Sequence, residues 1–262
     1  EGVKLRTVFL CNSGLDGILT GVYDIYASRL PISECGLELE DAYEPELFCQ
    51  YRTAGVSQEK ALKVMNKLKS RISERACLAV YRASLSKEPK RAEWIFQFIC
   101  LGLTYGRRIL SMMQEEAVYE IFRIDRCVGN EAHLLTEFLR FERLDSGIFY
   151  GQVGPENDVL ELLAPHFSDR FPDMDWVIFD ENRKKAAFHD GRTGAWQIRT
   201  GVEEAFLKRT GECQRKDVYV DLWKTFFETI SIEERKNPQC QRTHLPLRYR
   251  KYMTEFPARD SG

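Results

Sequence analysis

The chain has 262 residues, 44% of them apolar and 30% charged, with a formal net charge of −2. That apolar share can bury one large core or two modest ones, and the interspersed charges suit a soluble globular surface rather than a disordered tail. A protein coated in positive charge is excluded, although a near-neutral sum hides any local basic patch.

The longest apolar run, Trp94–Leu103, is too short to cross a bilayer and is broken by Gln97. Eight cysteines lie scattered with no Cys-x-x-Cys pair. Neither a disulfide framework nor a zinc knuckle fits that spacing, so they read as reduced core residues. No charged-then-apolar leader opens the sequence, and the expectation is a cytoplasmic protein without a membrane partner.

In chain order, Thr7–Cys11 reads as a strand, and Asn12-Ser-Gly14-Leu-Asp16-Gly17 as a turn with several N-caps. Ile18, Val22, Ile25 and Tyr26 then recur at helical spacing. A Gly-rich turn before a helix can cradle phosphate, but the P-loop Lys-Ser/Thr and Gly-x-Gly-x-x-Gly patterns are both missing. Cys35–Glu40 suggests a second strand, and acidic Asp41–Gln50 an irregular segment. Ser57–Ile72 and Ser73–Ser86 read as amphipathic helices, with Ser57 as an N-cap. Arg91–Leu110 is a strongly apolar helix whose aromatic stripe is core before it is a cofactor box, and Gln114–Phe138 is one more helix.

Beyond Phe138 the pattern is mixed. Phe138–Leu144 and Ile148–Val153 flank Asp145-Ser-Gly147 as a β-hairpin. Asn157–Arg170 has helical period, Trp176–Asp180 and Lys185–His189 read as strands about an Asn182-Arg-Lys turn, and Gly194–Ile198 adds an edge strand. Asp217–Ile232 reads as a helix. Short turns between strands predict antiparallel pairing with helices on one face. The expected fold class is therefore α+β: a mainly helical part over 1–112, closely packed on an α+β part over 113–262 that ends in a basic segment.

Several residues could carry chemistry. His166, Asp169 and Arg170 share a helix face, where a carboxylate and a cation could tune an imidazole as general acid or base. The same set equally describes cations at a helix C-terminus stopped by Pro172. His133 and Arg140 are two helical turns apart, and Asp180 is either a carboxylate that orients Arg183 or a histidine, or the first residue of a turn. No zinc-hydrolase, zinc-deaminase or Gly-x-Ser-x-Gly pattern occurs, and no metal or cofactor is expected. The most basic stretch, Glu233–Tyr252, interleaves cations, amides and tyrosines, as nucleic-acid surfaces do and as solvated C-terminal helices also do.

Whole motifs carry a resemblance. Ala164-Pro-His166-Phe-Ser-Asp-Arg170-Phe-Pro172, Trp176–Asp180, Trp223-Lys-Thr-Phe-Phe227, and Ile232-Glu-Glu-Arg235-Lys-Asn237-Pro238 through Gln241-Arg242-x-His244-Leu-Pro246-x-Arg248-Tyr249 are similar to an uncharacterised bacterial family. Leu15–Asp24 and Glu131-Ala-His133 resemble its other signatures. Its members are labelled DNA metabolism or DNA repair proteins. The resemblance implies a gene that accompanies a radical-SAM DNA modification or repair protein, and a related domain fused elsewhere to a uracil-DNA-glycosylase-like domain. This chain has neither the Cys-x-x-x-Cys-x-x-Cys motif nor a glycosylase water-activating motif, so those activities belong to the neighbours.

The leading expectation is an accessory protein in DNA repair or modification that binds single-stranded or damaged DNA beside a radical-SAM partner. His133, His166, Asp180 and His244 are the catalytic candidates, and Arg140, Arg170, Arg235, Arg242, Arg248 and Tyr249 the phosphate and nucleic-acid contacts. The alternatives are an enzyme using the His/Arg/Asp set for acid–base or hydrolytic work on a nucleotide or nucleobase, and a protein–protein adaptor.

Overall fold

A computed structural model of the chain describes residues 6–144 and 147–203, together with Tyr249, Tyr252 and Met253. The fold is α+β and divides into two compact units, residues 1–129 and 130–262. The helix expected over Asp217–Ile232 and most of the basic segment lie outside the described residues. Among the described residues no helix is long and apolar enough to cross a membrane.

The first unit is built on a three-stranded parallel sheet of order β2-β1-β3, with β1 (Arg6–Cys11) between β2 (Cys35–Leu39) and β3 (Cys49–Thr53). β1 reads as a continuous buried run, as a central parallel strand must. β3 is an edge strand of mixed polarity, hidden at the end of a stretch expected to be irregular. α1 (Leu15–Ala27) follows a turn in which the Asn12 side chain accepts the Gly14 N–H at 3.1 Å. A Cβ at Gly17 would lie 2.6 Å from the Asn12 carbonyl oxygen, so that approach requires glycine.

α2 (Gln58–Arg71) and α3 (Glu74–Ser84) start at serines whose side chains accept the Lys60 and Ala76 N–H groups. α4 (Arg91–Tyr105) is shorter than its apolar pattern suggests. Gly106 takes φ +59° and the chain continues as a 3₁₀ turn to Ser111. Cys11 is buried and its thiol is pushed up to about 12, chiefly by that burial, which suits an inert core residue. α5 (Glu116–Phe138) contains the division between the units.

The second unit is a five-stranded sheet of order β4-β5-β6-β7-β8, comprising Phe141–Arg143, Phe149–Val153, Trp176–Asp180, Lys185–Asp190 and Ala195–Thr200. The hairpin β4–β5 and the pairs β6–β7 and β7–β8 are antiparallel. The expected all-antiparallel pairing fails at one place: β5 and β6 run parallel. Their connection holds α6 (Leu160–Arg170), and a helical crossover returns the chain in the same direction where a tight turn would reverse it.

Alternation sorts the sheet's two faces. Tyr150, Val177, Phe179 and Ala186 form one buried cluster. The opposite face carries Phe149, Trp176 and His189 side by side in one row of the register, and α6 packs against β6, β7 and β8. Glu131, 4% exposed, fastens this unit from within. It accepts the Glu156 N–H at 2.8 Å, the Asn157 N–H at 2.9 Å, the Asn157 side-chain amide at 2.6 Å and the Tyr249 hydroxyl at 3.1 Å.

Candidate functional site

The last turns of α5 place His133, Thr136 and Glu137 at the i, i+3, i+4 spacing of one helix face, and Arg140 follows just beyond them. Residue 140 lies two positions past the helix end, where the Arg140 guanidinium donates from Nη1 to the Glu137 carbonyl at 2.9 Å. α6 contributes His166, Phe167 and Arg170 from its own last turns. Pro165 stands inside α6 and supplies no N–H to the helix, a local weakening directly before His166. Both arginines thus sit at helix C-termini, where carbonyls and the helix dipole favour cations.

These two helix ends face one recess of about 800 Å³. His133, Arg140, His166 and Arg170 all line it, with Glu137 beside them. His133 Nε2 lies 3.2 Å from Glu137 Oε1, and both side chains are largely exposed, so the pair contributes little stability. His166 and Arg170 are exposed and Arg140 is half-buried.

The floor is aromatic. Phe141 meets Phe167 edge-on at 5.2 Å and Phe171 at 5.8 Å, and Phe167 and Phe171 lie nearly parallel at 6.4 Å. Trp176, 1% exposed, lies 6.4 Å from Phe141. The Arg170 guanidinium stands 5.6 Å from the Phe171 ring, within cation–π range. Phe149 and Met174 complete the lining. A Cβ on Gly151 would lie 2.9 Å from Leu139 and 3.2 Å from Phe141, so a bare backbone there lets the Phe141 ring lie across β5.

Behind the floor, His189 is 5% exposed and stacks on Trp176 at 4.9 Å with the rings 3° from parallel. Its Nδ1 lies 2.8 Å from the Met174 carbonyl oxygen, which can only accept, so Nδ1 carries the proton. The Gly191 N–H donates to Asp175 Oδ1 at 2.8 Å. These contacts fix the 171–175 segment that forms one wall of the recess.

Of the catalytic candidates, the fold brings His133 and His166 to the same recess as Arg140 and Arg170 and leaves Asp180 elsewhere. Asp180 is fully buried at the end of β6, and its Oδ1 accepts the Asn182 and Arg183 N–H groups at 2.9 and 3.2 Å. Its Oδ2 accepts from Arg183 Nη1 at 3.2 Å. It therefore both starts the turn and orients Arg183. Burial raises its carboxyl above the ordinary range, against the opposing pull of Arg183.

Tyr249 is buried, and with its hydroxyl on Glu131 it serves as an internal anchor rather than an exposed ring for base stacking. His244, Arg235, Arg242 and Arg248 lie outside the described residues. Among the described residues no group of three His, Cys, Asp or Glu side chains is placed to hold a metal ion.

Sequence reasoning missed the aromatic floor. Its signal was the dipeptide Arg-Phe, which occurs as Arg140-Phe141 and Arg170-Phe171 just at the ends of two helices. The segment that holds both dipeptides falls within a match to a family model, the domain of unknown function DUF4130, over residues 89–255. No curated protein matches the chain.

Proposed function

Because the chain belongs to the DUF4130 family, whose description leaves the activity open, we propose from the recess and the motif resemblance that it is a nucleic-acid-directed protein of DNA repair or modification. One observation carries the contact: two guanidinium groups and two imidazoles border a floor of aromatic rings in a single recess. Guanidinium groups hold phosphate, and aromatic rings take unstacked bases of any sequence, which together describe recognition of single strands or of damaged, partly unpaired DNA. The DNA context and the radical-SAM partner rest on the resemblance of the Ala164–Pro172 and C-terminal motifs.

The test is binding to a single-stranded oligonucleotide across a salt series. Each phosphate contact on a single strand contributes about 0.7 to the slope of log K against log salt. Arg140→Ala and Arg170→Ala together are expected to lower affinity and flatten the slope by about 0.7 for each phosphate they hold. Neutralising Arg242, Arg248 and Arg250 in the same assay measures the tail separately. An unchanged slope in the Arg140/Arg170 variant removes the recess from the reading.

A second reading is favoured by one specific fact, that His133 and His166 share the recess. Two imidazoles beside an anion-holding rim are the parts of an acid–base site acting on a nucleotide. Turnover of a nucleotide or base-modified strand by the purified protein, abolished in His133→Gln and His166→Gln, is the result that separates enzyme from binding module.

A further inference from the structure

The recess differs in form from the open aromatic platforms on which single strands are laid. A run of bases stacked along a strand needs successive exposed rings. Here, of the Phe and Trp rings, only Phe141, Phe149 and Phe171 are partly exposed within the recess, while Phe167, 3% exposed, and Trp176, 1% exposed, lie covered beneath them. An open face offers length, whereas a recess offers depth for one planar group.

The charges around the mouth count in the same direction. Arg140 and Arg170 each bring one positive charge, Glu137 one negative charge, and His133 and His166 none while their imidazoles are neutral. Among the described lining residues the sum is about +1, which matches one phosphodiester. A volume of about 800 Å³ lies within the range of pockets that enclose a single small-molecule-sized ligand.

We infer that the recess is a single-nucleotide pocket: one unstacked base lies against Phe141, Phe149 and Phe171, above the buried Trp176, and its phosphate sits at the mouth with Arg140 and Arg170. This rests on the nucleic-acid reading above and sharpens it. The protein takes one everted or terminal nucleotide from a strand, and the rest of the strand gains nothing from this site. Arg170 has two tasks, since its guanidinium both holds the phosphate and backs the Phe171 ring.

The experiment titrates the full chain with a ladder of probes and follows tryptophan fluorescence, since Trp176 lies buried 6.4 Å from the Phe141 ring. The probes are inorganic phosphate, thymidine, thymidine 5′-monophosphate, and oligothymidylates of two, four and eight nucleotides. The monophosphate is expected to bind saturably and to quench a signal that is lost in Trp176→Phe. Phosphate and thymidine alone should each bind at least about 10-fold more weakly. At fixed salt the affinity read from this signal should rise from the dinucleotide to the octanucleotide by no more than the roughly fourfold gain in equivalent nucleotides.

Phe141→Ala and Arg170→Ala should each cost about 10-fold against every probe that carries both base and phosphate. Arg170 is exposed, so its variant is the one that keeps its fold, as circular dichroism checks. If oligonucleotides bind with affinity that climbs with length beyond that gain and ignores both variants, the single-nucleotide pocket is wrong while the nucleic-acid reading survives. If neither mononucleotide nor strand binds, both are wrong.

Discussion

Replacing Glu131 by glutamine tests how the second unit is held together. The carboxylate has two acceptor oxygens, and the described residues give each of them two donors: Oε1 takes the Glu156 N–H and the Tyr249 hydroxyl, Oε2 takes the backbone and side-chain N–H of Asn157. A glutamine can keep its oxygen toward only one pair. With the oxygen toward Asn157, its NH₂ confronts the Glu156 N–H, donor against donor. The Tyr249 hydroxyl can rotate to accept, but a backbone amide cannot.

The variant therefore loses the charge-assisted bond to the Glu156 N–H and weakens the two to Asn157, a cost of roughly 2–4 kcal/mol. In urea, with a slope of about 2 kcal/mol per molar, the unfolding midpoint should fall by about 1–2 M. Tyr249→Phe removes the hydroxyl's bond to Glu131 and should cost about 1 kcal/mol. The double variant should cost less than the two singles combined, because they share a partner. A Glu131→Gln midpoint within roughly 0.3 M of the parent would refute the four-donor account of this carboxylate.

Two further outcomes follow from local geometry. Gly151→Ala forces a methyl against Leu139 and Phe141, at 2.9 and 3.2 Å before relaxation. It should cost about 1–2 kcal/mol in unfolding and, by displacing Phe141, weaken nucleotide binding severalfold. Asp180 tests pH linkage. Burial raises its folded-state value above the ordinary 3.8, so the folded chain keeps this proton longer than the unfolded one. Its contribution to stability is then greatest below that ordinary value and is lost as pH rises through the raised folded value. Asp180→Asn should remove that fall from the stability–pH curve, whereas a fall of the same size in the variant assigns it to another group.

Where a structural cause is local, the sequence shows it. Ser57 and Ser73 announce the starts of α2 and α3, and the 176–180 and 185–190 strands follow from their composition and the turn between them. The parallel pairing of β5 with β6 was legible in principle, since a helical period was read between them, but the short turns elsewhere in the sheet outweighed it. β3 escaped because an exposed edge strand carries no buried face to alternate.

Distance along the chain hid the rest. Glu131 finds its partners 25, 26 and 118 residues away, and nothing beside it marks it as buried. The spacing of His133 and Arg140 did foretell a shared side, because two helical turns bring residues into line. Their meeting with His166 and Arg170 depends on how α6 packs on the sheet, which no local pattern encodes. The aromatic floor is a product of strand register: Phe149, Trp176 and His189 become neighbours only once three strands are paired.

The most direct measurement is photo-crosslinking of the full chain to a single strand carrying one 5-iododeoxyuridine, with the crosslinked residue identified by mass spectrometry. The recess account predicts adducts on Phe141, Phe149 or Phe171, competed away by thymidine 5′-monophosphate. Efficient crosslinks that map only to residues 6–129, or that the mononucleotide fails to compete, would contradict it.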